Sequence, residues 1–499
     1  MLKYKQKISK IYKFYLIICG TNVANIIKQI KVGVKLKYKA VKKITTFAFV
    51  VLAIIYGSLT AEENNTKLSL AECINYAKQN NREIKKAILE ENQSSSKIKE
   101  VIGSGLPQVT LTGNIVDNIE LPTTLFPMEY FGGAKGTFME SKMGVQYNYT
   151  FNLEATQMIF NGSFWIGLDA AKYSNQYYSQ NVTNTVEETI YSVAVAYYKT
   201  ISVYKQKELL NKNKLLIEKS LSDTKLMYDN GKAKIVDVDR LNVNYNNIKY
   251  QIKKIEEALS LSLNNLKYLM GMDVKSEIEL QDNELLSDQD EPKLFNEFEV
   301  KENFNIQNRA DYKILGTVLE LQKLNRENVW AQYVPSITAY GSFSYQGLRN
   351  KFDLFDADKK WYSFYSVGLR MRFPLFTGGQ TLAKDEQAML EIEKVKQDIA
   401  NAENGINMQV DNAADKLKTA LENAKINYQN MELAKKVLDD TILEYKEGVT
   451  NALFLVDSET KLREAQTNFT NSLLELYIAK LDIEKAKGTI SNYLNENVK

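Results

Sequence analysis

The 499-residue chain has no histidine and only two cysteines, so most of the side chains that build catalytic and metal centres are missing. Without imidazole no ordinary side chain titrates near neutrality. After residue 61 a single thiol, Cys73, is present, too few for a thiolate metal cluster or an internal disulfide. No phosphate-binding Gly-Lys-Ser/Thr loop occurs. Phe131-Gly-Gly-Ala-Lys-Gly136 is glycine-rich but falls between two strand patterns and reads as a loop tip. Asp353, Asp356 and Asp358 lack the spacing and glycine of a calcium loop. The expectation is no cofactor and no enzyme. Proline is scarce as well: Pro107, Pro122, Pro127, Pro292, Pro335 and Pro374 are the whole set. Glycine is absent from 168–230, 232–270 and 449–487. Interior proline costs a helix about 3 kcal/mol and glycine about 1 kcal/mol, so these stretches read as continuous helix. At 1.5 Å per residue, a helix over 164–229 would span about 100 Å, and 380–446, interrupted only by Gly405, is similar. Helices of that length imply a rod or a tube.

What is present is a unit that occurs twice. Tyr228-Asp-Asn-Gly231-Lys-Ala-Lys leads into an apolar-periodic stretch ending at Gly271, and Tyr445-Lys-Glu-Gly448-Val-Thr-Asn leads into another ending at Gly488, 217 residues later. Tyr245, Ile248, Ile252, Ile255, Leu259 and Ser262 match Leu462, Ala465, Phe469, Ser472, Leu476 and Ala479. The spacing is a heptad-like seam. Gly231 and Gly448 stand where a left-handed residue would close one helix before the next begins. Each copy is expected to be a long αα-hairpin.

Two strand patterns precede each hairpin. Val109, Leu111, Gly113 and Ile115 alternate with polar residues, and Val145, Tyr147, Tyr149, Phe151, Leu153 and Ala155 alternate with Gln146, Asn148, Thr150, Asn152 and Glu154. In the second half Ile337, Ala339, Gly341, Phe343 and Tyr345 form one such run, and Tyr365, Val367, Leu369, Met371 and Phe373 another. One face of each run is apolar and the other polar. Residues 117–142 and 347–361 read as loops, and 68–103 and 309–332 as helices. Phe160-Asn-Gly162 and Phe376-Thr-Gly378 end the strand regions. Four strands cannot close a barrel, which needs about eight. An apolar-out, polar-in wall of this kind fits a membrane barrel completed by other copies of the chain.

Residues 1–43 hold twelve lysines and no acid, so the remainder carries 52 basic against 61 acidic residues. This acidic balance gives no footing for nucleic acid. Lys42-Lys43, the apolar run Phe47 to Tyr56 and the small residues up to Ala61 have the form of a signal peptide over 44–61. The domain reading is therefore a basic extension (1–43), the signal peptide (44–61), a first repeat (62–271), an acidic linker (272–300) and a second repeat (301–499).

In its paired Tyr-x-x-Gly turns, Phe-x-Gly strand exits and Leu-Pro and Val-Pro strand starts, the chain resembles the TolC-type outer-membrane efflux proteins over about 68–490. The resemblance implies a mainly α fold with membrane β. Internally duplicated helical hairpins would form a trimeric α-barrel tunnel in the periplasm of a Gram-negative bacterium. Four strands per chain would complete a 12-stranded barrel in outer-membrane lipid. The implied partners are two sister chains, a periplasmic adaptor (membrane fusion protein) and an inner-membrane pump of RND or ABC type. The implied cargo is drugs, toxic compounds or secreted proteins, conducted passively. Tyr445, Phe454, Asp457, Asp237 and Arg240 would lie at the periplasmic aperture, and Gly231, Lys232, Gly448, Val449 and Thr450 would be adaptor-docking turns. The family's turn carries two acids. Here Asp457 matches the second, while Phe454 occupies the place of the first. The other reading is an inner-membrane-anchored periplasmic coiled-coil scaffold or adaptor, which leaves the two-faced strands unexplained.

Overall fold

A computed structural model describes residues 67–281, 295, 304–356 and 358–497. The basic extension with Cys19, the signal peptide and most of the acidic linker lie outside the described residues.

The first half begins with α1 (Leu70–Asn80) and α2 (Arg82–Ser104), where one helix was expected. The break is at Asn81. Its ψ of 134° is extended, and its Oδ1 accepts hydrogen bonds from the amides of Glu83 and Ile84 as an N-cap. Its Nδ2 donates to the Leu269 carbonyl at 2.7 Å. Gly271 lies against this kink with φ +76°, and a Cβ there would collide with the Asn80 carbonyl. The break is thus imposed by a helix end about 190 residues away in sequence.

Strand β1 (Gln108–Asp117) follows, then a segment read as loop that contains a hairpin of β2 (Thr123–Pro127) and β3 (Phe138–Lys142). Its phase is hard to read because it is short and polar residues interrupt it. β4 (Tyr147–Phe160) leads into α3 (Gly162–Asp229), and the tight turn at Gly231 into α4 (Ile235–Met270). The second half repeats the order with α5 (Ala310–Ala331), β5 (Ser336–Arg349), β6 (Tyr362–Arg372), α6 (Gln380–Lys446) and α7 (Ala452–Ala486), and a short α8 (Ile490–Asn497) closes it. α3 and α6 contain 68 and 67 residues, so each runs about 100 Å. α6 passes through Gly405 without interruption.

β1, β4, β5 and β6 form one antiparallel sheet in the order β1-β4-β5-β6. Its two edges are β1 and β6. The polar face is knitted by side-chain hydrogen bonds from Ser344 to Asn152, from Gln346 to Asn148 and between Ser342 and Ser366. The apolar face is bare over much of its area, with Leu111, Leu153, Val367 and Leu369 exposed and Val367 at 87%. Seam residues of both repeats are buried or half-buried, from Tyr245 to Ser262 and from Leu462 to Ala479. α3 packs on α4 and α7, and α6 on α7, giving a mid-helix core and a second core near the turns.

Candidate functional site

The two turns that join the long helices are built alike. After α3, the amide of Gly231 donates to the Tyr228 carbonyl and that of Lys232 to the Met227 carbonyl, both at 2.8 Å. After α6, Gly448 donates to Tyr445 at 3.1 Å and Val449 to Glu444 at 2.9 Å. Positive φ at both glycines, 71° and 75°, satisfies the last helical carbonyls in a Schellman arrangement. The next helices start differently. Asn451 caps α7 by accepting from the Leu453 amide at 2.9 Å, whereas Lys234 gives α4 no side-chain cap and Asp237 lies in its first turn.

Gly231, Lys232, Gly448 and Val449 are exposed, Val449 to 75%, and Thr450 is half-buried. Phe454 (57% exposed) and Asp457 project from the first turns of α7 into open space. Asp237 is half-buried and meets Arg240 at a long 4.0 Å. Tyr445 is placed differently from these. It is buried against Leu438, Leu241 and Leu455, and its hydroxyl shares a 2.9 Å hydrogen bond with the fully buried Thr224 hydroxyl of α3. Burial, with a smaller contribution from the Asp237 charge, raises the Tyr445 phenol above its ordinary value. In the single chain Tyr445 therefore ties one hairpin to the other. Its repeat counterpart Tyr228 is 42% exposed.

The polar ties of this region escaped the sequence reading. Glu459 of α7 is buried, accepting from Asn244 Nδ2 of α4 at 3.1 Å and from the Ser220 hydroxyl of α3 at 3.4 Å. Burial pushes its carboxyl up to about 7, against the opposing pull of Arg463. The spacing did not mark it: the seam continued back from Leu462 falls on Ser458 and Leu455, and Glu459 stands beside it. Further along, Asn213 donates to Gln466 at 2.9 Å and Gln206 to Asn471 at 3.1 Å. A polar groove of about 800 Å³ lies there between α3, α4 and α7, lined by Asn213, Lys254, Arg463 and Glu464 among others. The arrangement is a pair of turns held together by a ladder of polar ties.

The family profile described as "Outer membrane efflux protein" matches residues 73–272 and 325–489, one segment in each repeat. The chain belongs to the outer membrane efflux protein family. It is 20% identical over 428 residues to the outer membrane protein TolC of Vibrio cholerae, covering 85% of this chain and 91% of that protein. The TolC of Escherichia coli is 20% identical over 448 residues, with 87% and 84% covered. Among solved structures, the Campylobacter jejuni CmeC outer membrane channel superposes with a TM-score of 0.63 at 15% identity, over 89% of this chain and 94% of that one. As a member of the efflux family, the protein is an outer-membrane tunnel component of an efflux system in a Gram-negative bacterium. Among the described residues no helix is long and apolar enough to cross a membrane.

Proposed function

We propose that three copies of this chain assemble into one conduit. The twelve strands form a barrel in the outer membrane, and the long hairpins form a tunnel below it. The observation that carries this reading is the four-stranded sheet, with two open edges and a bare apolar face. An open sheet edge in lipid leaves backbone groups unpaired, at several kcal/mol each. β1 and β6 run antiparallel, so β6 of one copy can pair with β1 of the next and leave no edge. β4 and β5, 14 residues each, extend about 46 Å at 3.3 Å per residue, enough to cross a tilted apolar band about 25 Å tall. The polar face, with Arg370 stacked 5.1 Å over Tyr340, then lines a wet lumen.

In this assembly the turns lie at the narrow periplasmic end. Three Asp457 carboxylates and three Phe454 rings surround the axis there, the acids attracting cations and the rings narrowing the passage. An adaptor docks at Gly231-Lys232 and Gly448-Val449-Thr450, and an inner-membrane pump drives the cargo, whether drugs, other toxic compounds or secreted proteins. The test is whether the protein runs as a sarkosyl-insoluble, heat-modifiable trimer. A monomer extracted without a barrel would end the reading. For the aperture, Asp457→Ala is expected to lower cation conductance and relieve divalent block. Unchanged single-channel behaviour would remove Asp457 from the site.

A further inference from the structure

The outer end of the sheet carries two unlike connections. Between β1 and β4 the chain extends the β2–β3 hairpin, in which Leu125, Tyr130, Phe131, Phe138 and Met139 are exposed, Tyr130 to 82%. Between β5 and β6 the described residues of the segment, 350–356 and 358–361, fold back over the apolar face. Trp361 stacks on Tyr345 at 4.8 Å and 6°, and Phe352 meets Tyr147 and Tyr149 edge-on. This strap seals Tyr149 completely, yet presents Phe355 at 78% and Phe352 at 60% exposure.

A lone two-stranded hairpin is only marginally stable in water, and this one bears large apolar side chains that its own chain leaves uncovered. The sheet order specifies what lies beside it. Because β1 and β6 are the edges, closure brings the hairpin next to the strap of the adjoining copy, around the same rim. Charge also matches. Glu129 and Glu140 of the hairpin are exposed with no cation within 4.0 Å in the described chain, and the same holds for Lys351 and Lys360 of the strap with respect to acids.

We propose that the β2–β3 hairpin of each copy packs on the 350–361 strap of its neighbour, an apolar staple that locks the trimer at its outer rim. The proposal rests on the trimeric closure argued above, so its test separates the two. Copies carrying Tyr130→Cys are co-expressed with copies carrying Phe355→Cys, and separately Thr112→Cys copies with Ser366→Cys copies as a report on the β1–β6 edge. Each assembled trimer is treated with a short bismaleimide. Of the chain's two thiols, Cys73 is fully buried, and Cys19 is replaced by serine in all these variants. Both pairs are expected to cross-link between copies. A strand link without a rim link overturns the staple and leaves the closure standing. If neither forms, both fall. In addition, Tyr130→Ser with Phe131→Ser is expected to lower by several degrees the temperature at which the trimer dissociates in detergent, and an unchanged temperature would also overturn the staple.

Discussion

The mid-helix core and the core near the turns are built from the same four long helices, and they differ in kind. Midway, Tyr197, Leu266 and Leu476 are fully buried, Tyr198 stacks on Tyr477 at 4.8 Å, and α1, α8, Leu280 and Phe295 wrap the helices from outside. Toward the turns only eight buried apolar residues form the cluster, and among the described residues no further element covers them. There the hairpins are joined by polar ties: Thr224 to Tyr445, Ser220 and Asn244 to Glu459, Asn213 to Gln466, Gln206 to Asn471. Apolar burial is non-directional and gains about 25 cal/mol per Å². A hydrogen bond nets only about 1 kcal/mol, because water replaces it when the groups part. The middle is therefore fixed, and the turn end is able to separate at modest cost. That division suits the proposed tunnel, sealed along its length and opening at its turn end.

This contrast is breakable. The largest effect is expected from Leu476→Ala, about 2–5 kcal/mol off the unfolding free energy, read by denaturant titration. Leu462→Ala near the turns should cost distinctly less, because the site is more open and can relax. Equal costs would erase the distinction. Next comes Glu459. Its folded carboxyl titrates at about 7 against an ordinary 4.5, so the folded seam binds its proton more tightly than the parted one. Its stabilisation is complete below about 4.5 and is lost as pH rises to about 7, by up to about 3 kcal/mol. Amide exchange over 438–462 should accelerate across that window, and Glu459→Gln should abolish the dependence. Tyr445→Phe removes one tie and strands the Thr224 hydroxyl, for about 1–2 kcal/mol. The expected readout is more frequent opening in single-channel records, with the loss confined to faster amide exchange near the turns and the mid-helix core unaffected. Smallest of all, Glu391→Ala breaks only an exposed pair with Lys394 and should stay within about 0.5 kcal/mol.

Much of the fold was legible because its signals are local. The alternation from Val145 to Ala155, the absence of glycine between Gly167 and Gly231 and the matched turns at Gly231 and Gly448 each state a conformation through nearby residues alone. The candidate site was legible only in outline. The turn residues, Phe454 and Asp457 are exposed, but repeat symmetry gave no way to tell Tyr445 from Tyr228. The first is 8% exposed and the second 42%.

The residue pattern by itself thus determined the helix lengths, the two-faced strands, the duplication and the glycine turns, since periodicity and backbone preference act over a few residues. Tertiary structure alone decided that Asn81 breaks a helix against Gly271, that Tyr445 is buried under Thr224, and that the Glu459 carboxyl is buried against α3 and α4. Each of these depends on which distant helix covers the residue, and burial, unlike helicity, is a property of the neighbour as much as of the residue itself.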